Sequence, residues 1–236
     1  MLKTYQVGTG LPKYVQLSEL IIRDIVSGRY IDGERLPPEK SMAKNLKVSV
    51  GTLRKALKIL SQKKMLKQLH GSGNYVSART DFTSIYSMFR LELHKGGGLP
   101  TARVFDLQYM TKPSEIPKFG ISTEGTRIRR LRYLNEIFIA LEEIWLDSSV
   151  GVLYFEDLND SIYQLCSKKL GIWISRIEDR VSVNEVPNWA PKSFSVSASE
   201  MTGYVERFGW ASGEEAIEYS RTWFDCKRAH YVQRLR

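Results

Sequence analysis

From Pro12 to Ser27 the apolar residues Tyr14, Leu17, Ile21, Ile22 and Ile25 recur at helical spacing, Pro12 suits a first helical turn, and Gly28 supplies a stop. The pair Pro37-Pro38 predicts the start of a second, short helix that faces Met42, Ala43 and Leu46 inward and ends near Lys47. Ser49 is a natural N-cap for a third helix, whose stripe of Leu53, Ala56, Leu57 and Leu60 is apolar while Arg54, Lys55 and Lys58 lie away from it. Two helices joined by a very short turn, the second with a basic outer face, spell helix-turn-helix. Residues 65–69 and 74–77 then read as two short strands around the tip His70-Gly71-Ser72-Gly73, a wing. Taken alone, that glycine-rich tip is also what an ordinary hairpin turn looks like.

Beyond residue 84 the pattern changes. Strand-like runs occupy Ala102 to Leu107, Thr126 to Leu134, Phe138 to Leu146, Trp173 to Val183 and Glu218 to Phe224, with a helical stretch from Leu158 to Lys169. This mixture predicts an α+β domain of about 150 residues, an ordinary domain size. The intervening segment is polar but neither long nor glycine-rich. The expected division is 1–78 for the first domain, 79–84 for a linker and 85–236 for the second domain.

Charge sharpens the picture. Residues 1–80 hold 10 Lys and 5 Arg against 5 acids, whereas residues 81–236 hold 20 bases against 21 acids, so the formal charge of +9 is confined to the first third. Such a local excess suits a polyanion, although basic surfaces also serve solubility alone. Cys166 and Cys226 are too few for a disulfide framework and lack zinc-site spacing, which fits a reducing cytoplasm. Met1 to Tyr5 leads into no apolar run, so secretion and membrane insertion are not expected. The three histidines, His70, His94 and His230, show no catalytic spacing, and no metal, cofactor or enzymatic activity is expected.

The ordered string Gly33-Glu34-Arg35-Leu36-Pro37-Pro38-Glu39-Lys40-Ser41-Met42-Ala43, then Val48-Ser49-Val50-Gly51-Thr52-Leu53-Arg54, then His70-Gly71-Ser72-Gly73-Asn74-Tyr75-Val76, resembles the winged helix-turn-helix of GntR-type transcription regulators. That resemblance implies DNA contacts from Lys40, Ser49, Gly51, Thr52, Arg54, His70 and Gly71. The chemistry agrees, because a recognition helix inserts its N-terminal end, where free N–H groups and short hydroxyls suit phosphates and Arg54 can reach a base edge. Val50 stands where the family commonly has a base-reading Arg, so the operator of other members does not transfer.

In the second domain, Arg130 and Arg132 sit two apart on a strand-like run and can grip one anion from one face; a solvated basic edge strand is the equal alternative. The order of that run with Ile139 to Leu146, Ser161 to Leu165, Gly171 and Glu218 to Phe224 is similar to the UTRA domain of the HutC branch of GntR regulators. The resemblance implies a mainly antiparallel sheet of chorismate-lyase-like fold. It also implies effector binding by Ser87, Arg130, Arg132, Glu142, Ser161, Tyr163 and Glu218, with Phe224 where a Tyr is frequent and Lys227 where an acid is usual. The expected protein is a cytoplasmic homodimeric repressor that binds an inverted-repeat operator in double-stranded DNA and answers to a small anionic effector, a sugar phosphate, phosphonate or carboxylate. Convergence of these side chains on one cavity would mean an effector site; scatter would mean a dimerisation scaffold without effector.

Overall fold

The computed structural model describes residues 11–69, 71–77, 84–158 and 161–234. The chain divides into two compact units, one of residues 11–99 with 231–236, the other of residues 100–230. Among the described residues no helix is long and apolar enough to cross a membrane.

The first unit opens with α1, Lys13–Val26, which starts behind Pro12 and stops at Gly28, where φ is +78°. Then come α2, Glu39–Asn45, behind Pro38, and α3, Val50–Gln62, behind Ser49. Proline at the first two starts loses nothing, because the N–H groups there have no intrahelical acceptor. Lys47 adopts φ +52°, which folds the short turn between α2 and α3. Leu17, Ile21 and Ile25 of α1 pack with Leu53, Leu57 and Leu60 of α3 in one core, each no more than 5% exposed. Strands β1, Leu66–Leu69, and β2, Gly73–Val76, pair antiparallel as the expected wing, and Gly71 takes φ +71° at its tip.

A short strand, β3, Leu91–Leu93, was not legible in the sequence. It carries Glu92, 5% exposed, the hub of this unit. Glu92 accepts from Arg234 Nη1 at 2.7 Å and Nη2 at 3.0 Å and from the Gly97 N–H at 3.2 Å, with Arg23 at 3.7 Å and Arg29 at 3.8 Å. Residues 231–234 thus return to this unit, and the Val232 N–H donates to the Arg90 carbonyl at 2.8 Å.

The second unit is a six-stranded sheet in the order β4-β5-β6-β9-β8-β7, with every neighbouring pair antiparallel. Its strands are β4 Pro100–Thr111, β5 Glu124–Leu134, β6 Ile137–Asp147, β7 Arg176–Glu185, β8 Met201–Trp210 and β9 Glu218–Phe224. The winged helical unit and the antiparallel α+β unit are as expected. Two details differ. Strand β8 lies where sequence reading placed no element, and the expected helix Leu158–Lys169 is shorter. Leu158 is extended, and Ser161 caps a single α turn, α4, Ile162–Leu165, that widens into a π turn over Cys166–Leu170.

One sheet face is covered by α4 and the segment before it, packing Leu153, Leu158, Ile162, Leu165 and Cys166 on Ile128, Ile144 and Leu146. The other carries aromatic clusters: Tyr204 and Trp223 with Phe138 and Phe194, and Trp145, Phe208 and Tyr219 with Phe119. At the centre of that second face Glu143 is fully buried. It accepts from Arg129 Nε at 2.7 Å, from Trp145 Nε1 at 3.1 Å and from Arg221.

Two outcomes follow from these buried carboxylates. Removing one partner of a buried charge group leaves the others uncompensated, so Glu143→Ala should cost about 3 kcal/mol in chemical denaturation; a loss below about 1 kcal/mol would show that Arg129 and Arg221 do not depend on it. Burial alone would raise the Glu92 carboxyl, but the Arg234 hydrogen bonds, the Gly97 N–H and Arg23 hold it at about 2 against an ordinary 4.5. A depressed pKa stabilises the fold above the unfolded value, and that stability vanishes as pH falls from about 4.5 to 2. Stability measured across pH 6 to 2 should therefore fall less steeply in Glu92→Gln, by about 3 kcal/mol over the range; parallel curves would remove the assignment.

Candidate functional site

Along a strand, side chains alternate between faces, so antiparallel register decides which residues meet. Across the sheet, Arg130 stands opposite Glu142 and Glu142 opposite Thr222, while Arg132 stands opposite Ala140 and Ala140 opposite Phe224. Two further rows run Ile144–Ser220–Arg207–Asp179 and Leu146–Glu218–Gly209. Arg130, Arg132, Glu142, Glu218 and Phe224 therefore share the face that α4 covers, and that shared face excludes the solvated edge strand: Arg130 is 5% and Arg132 4% exposed, on an interior strand.

The Glu142 carboxylate accepts from Arg130 Nε and has Arg132 Nε at 3.9 Å. Burial would raise its pKa, but the two guanidiniums outweigh it and hold the group below the ordinary carboxylate range. Glu218 behaves oppositely. Burial, helped by the nearby charge of Glu142, outweighs Arg207, Tyr163 and Ser220 and raises its pKa. Gly209 makes the room it occupies, because a Cβ there would stand 2.5 Å from Glu218 Oε2. Arg130 Nη1 and Glu218 Oε2 are both buried and lack a hydrogen-bond partner among the described residues. A donor and an acceptor left open in one buried layer form a binding site's signature, since each costs ~1–3 kcal/mol until something pairs with it.

The cover supplies hydroxyls. Ser161, 7% exposed, caps α4 by accepting from the Gln164 N–H at 3.3 Å. Tyr163 Oη lies 3.5 Å from Arg207 Nη1, and burial together with Glu218 pushes its pKa well up, so the phenol stays protonated. Phe224, 6% exposed, lays its ring over Gly203 and walls the same face. Ser87 belongs to the first unit and is half-buried.

Sequence reading missed Arg207 and Asp179. Arg207 Nε and Nη2 donate to the two Asp179 oxygens at 2.6 and 2.7 Å, a fork that fixes the guanidinium beside Tyr163. The signal was a charged residue flanked by apolar neighbours in Tyr204-Val205-Glu206-Arg207-Phe208, legible only once that run is known to be an interior strand.

On the first unit, Lys40, Ser49, Gly51 and Arg54 are exposed, Thr52 is half-buried, and all cluster at the starts of α2 and α3. Ser49 Oγ accepts from the Thr52 N–H at 3.1 Å and lies 2.8 Å from the Thr52 hydroxyl. Arg54, with 69% of its side chain exposed, donates to Glu39 at 2.7 Å, an exposed pair worth little and easily exchanged for DNA. Exposed Gly71 ends the wing; His70 lies outside the described residues. Arg35 adds a cation that the expected contact set omitted, bridging to Tyr75 through the backbone and reaching over Gly73.

Comparison with known proteins agrees with both halves. Residues 13–76 match the family of bacterial regulatory proteins called gntR, and residues 96–230 match the UTRA domain. The chain is 46% identical over 230 residues to the HTH-type transcriptional regulator SmoD of Agrobacterium fabrum, covering 97% of this chain and 98% of that one. It is 23% identical to the mannosyl-D-glycerate transport/metabolism system repressor MngR of Escherichia coli, over 91% of this chain and 92% of that one. The crystal structure of the possible transcriptional regulator YydK from Bacillus subtilis has the same fold, with a TM-score of 0.55 at 20% identity over 96% of this chain and 100% of that one. The chain belongs to the GntR family of DNA-binding transcription regulators, in the branch that carries a UTRA effector domain.

Proposed function

We propose that this regulator is a homodimeric, cytoplasmic repressor whose grip on an inverted-repeat operator is set by a small anionic metabolite bound in its second unit. The observation that carries the effector class is the sheet face on which Arg130 Nη1 and Glu218 Oε2 are both buried and open. Arg130 and Arg132 fix the anionic group of a sugar phosphate, phosphonate or carboxylate. Glu218, with its raised pKa, takes a hydroxyl hydrogen when ionised and offers its own proton when neutral. Glu142 holds the arginine pair in place, and Ser161 and Tyr163 close the layer from above. A repressor named for mannosyl-D-glycerate, a sugar bearing a carboxylate, supports an effector that combines one anionic group with several hydroxyls. The Phe224 ring leaves one wall without a hydroxyl, so the part of the ligand that meets it is apolar.

DNA binding rests on the N-terminal end of α3. The Ser49 and Thr52 hydroxyls and the free N–H groups there take phosphates, Lys40 and the wing add charge, and Arg54 reads a base once it leaves Glu39. Two-fold pairing of such units matches an inverted repeat.

Two measurements test this. Arg54→Ala should weaken specific operator binding by about tenfold or more in a gel-shift titration at fixed salt, with the thermal unfolding curve unchanged; unaltered operator affinity would remove the recognition role. A thermal-shift screen of the full-length protein against sugar phosphates, phosphonates and carboxylates should yield a selective stabilisation of ~2.7 kcal/mol at 100 times the dissociation constant. In Arg130→Ala the response should vanish while operator binding persists; an intact response would move the anion site elsewhere.

A further inference from the structure

A second cavity, unrelated to the layer above, lies within the first unit. It encloses about 220 Å³ between the C-terminal turn of α1, residues 84–92 and the returning segment 232–234. Its charge is lopsided. Arg23, Arg90 and Arg234 line it with Glu92 the single acid, and Arg29 and Asp24 stand just behind, giving four guanidiniums against two carboxylates.

Of these guanidiniums, Arg23 is only partly occupied. Arg23 is 4% exposed, donates from Nε at 3.0 Å and Nη2 at 2.6 Å to Asp24, and leaves Nη1 buried without a hydrogen-bond partner among the described residues. Arg234 is spent on Glu92. Arg90 gives Nη1 to the Ser87 carbonyl, which brings the Ser87 side chain to the same wall. A buried guanidinium with an open N–H in a net positive cavity is the reverse of what folding alone selects, since each arm left unpaired costs desolvation with no return.

The rest of the wall mixes the apolar Val26, Phe89 and Val232 with Ser27, Ser84 and Gln233. An inorganic oxyanion would fill only a fraction of the space, and its far side would touch hydrocarbon. We infer that this cavity is a second ligand site, which takes a small organic oxyanion, its anionic group on Arg23 and Ser87 and its carbon skeleton against Val26, Phe89 and Val232. Because Arg23 is so deeply buried, the backbone of a DNA duplex does not reach it. The anion comes from a free metabolite. Such a ligand ties α1 to the returning C-terminal segment and so gives the DNA-binding unit a chemical input of its own, independent of the effector assigned to Arg130.

The test uses full-length protein bearing Arg130→Gln, which silences the other site, and phenyl phosphate as probe, followed by isothermal titration calorimetry beside inorganic phosphate. One phenyl phosphate should bind per chain, more tightly than inorganic phosphate. Adding Arg23→Gln should weaken it at least tenfold. If Arg23→Gln fails to fold, Val232→Trp decides, since it fills the cavity while keeping its backbone bond to Arg90. Binding that survives Val232→Trp, or no binding in the Arg130→Gln background, would overturn the site. Inorganic phosphate binding as tightly as phenyl phosphate would overturn the organic class, and displacement of the probe by a short DNA duplex would overturn the free-metabolite source.

Discussion

Two glutamates side by side on one interior strand constrain the whole second unit. Glu142 and Glu143 are neighbours on β6, so the alternation of a strand sends one to each face of the sheet, and neither face can leave a carboxylate uncompensated. Strand β5 answers with Arg129 and Arg130, also adjacent, and the register sets Arg129 opposite Glu143 and Arg130 opposite Glu142. A slip of one residue would bring both arginines to the wrong face and break both pairs at once, leaving the buried Arg130 and Glu143 uncompensated. Hydrophobic alternation alone would tolerate such a slip poorly; the charge pairs forbid it.

The two faces use the same chemistry to different ends. Glu143 accepts from Arg129, Arg221 and Trp145, and Arg129 stacks 4.8 Å over the Trp189 ring. Glu142 is held by an arginine whose remaining arm is open, within one sheet layer of a glutamate whose pKa is raised and whose Oε2 is open too. On the face proposed for the effector, those open groups are what a ligand would pair.

Much of this was legible before any coordinates. The stripes Leu17/Ile21/Ile25 and Leu53/Leu57/Leu60 gave both long helices, and Ser49 and the two proline starts gave the helix ends to within a residue or two, because each of those signals acts locally. Arg130 and Arg132 were readable as a same-face pair. Strand β8 was not, since Gly203 and Gly209 break its apolar pattern for reasons that lie on β9, where Phe224 and Glu218 need the space. For the same reason Arg207 and Asp179 stayed hidden: their pairing is a cross-strand fact. Glu92 carries no sequence signal of its own, and only the return of residues 231–234 makes it a hub.

The over-determined register also limits how a ligand can act within the second unit. A ligand moves an equilibrium only through differing affinity for two arrangements, and a sheet locked by Glu143 on one face and Glu142 on the other offers one arrangement. The cover has no such lock. It is a single α turn widened into a π turn, held by apolar contacts from Ile162, Leu165 and Cys166, with Ser161 and Tyr163 as its polar reach into the layer. Apolar packing is non-directional and tolerates displacement far better than paired charges do. On the proposed assignment, a ligand seated on Arg130 and Glu218 acts on this unit through the segment above it, which carries Ser161 and Tyr163.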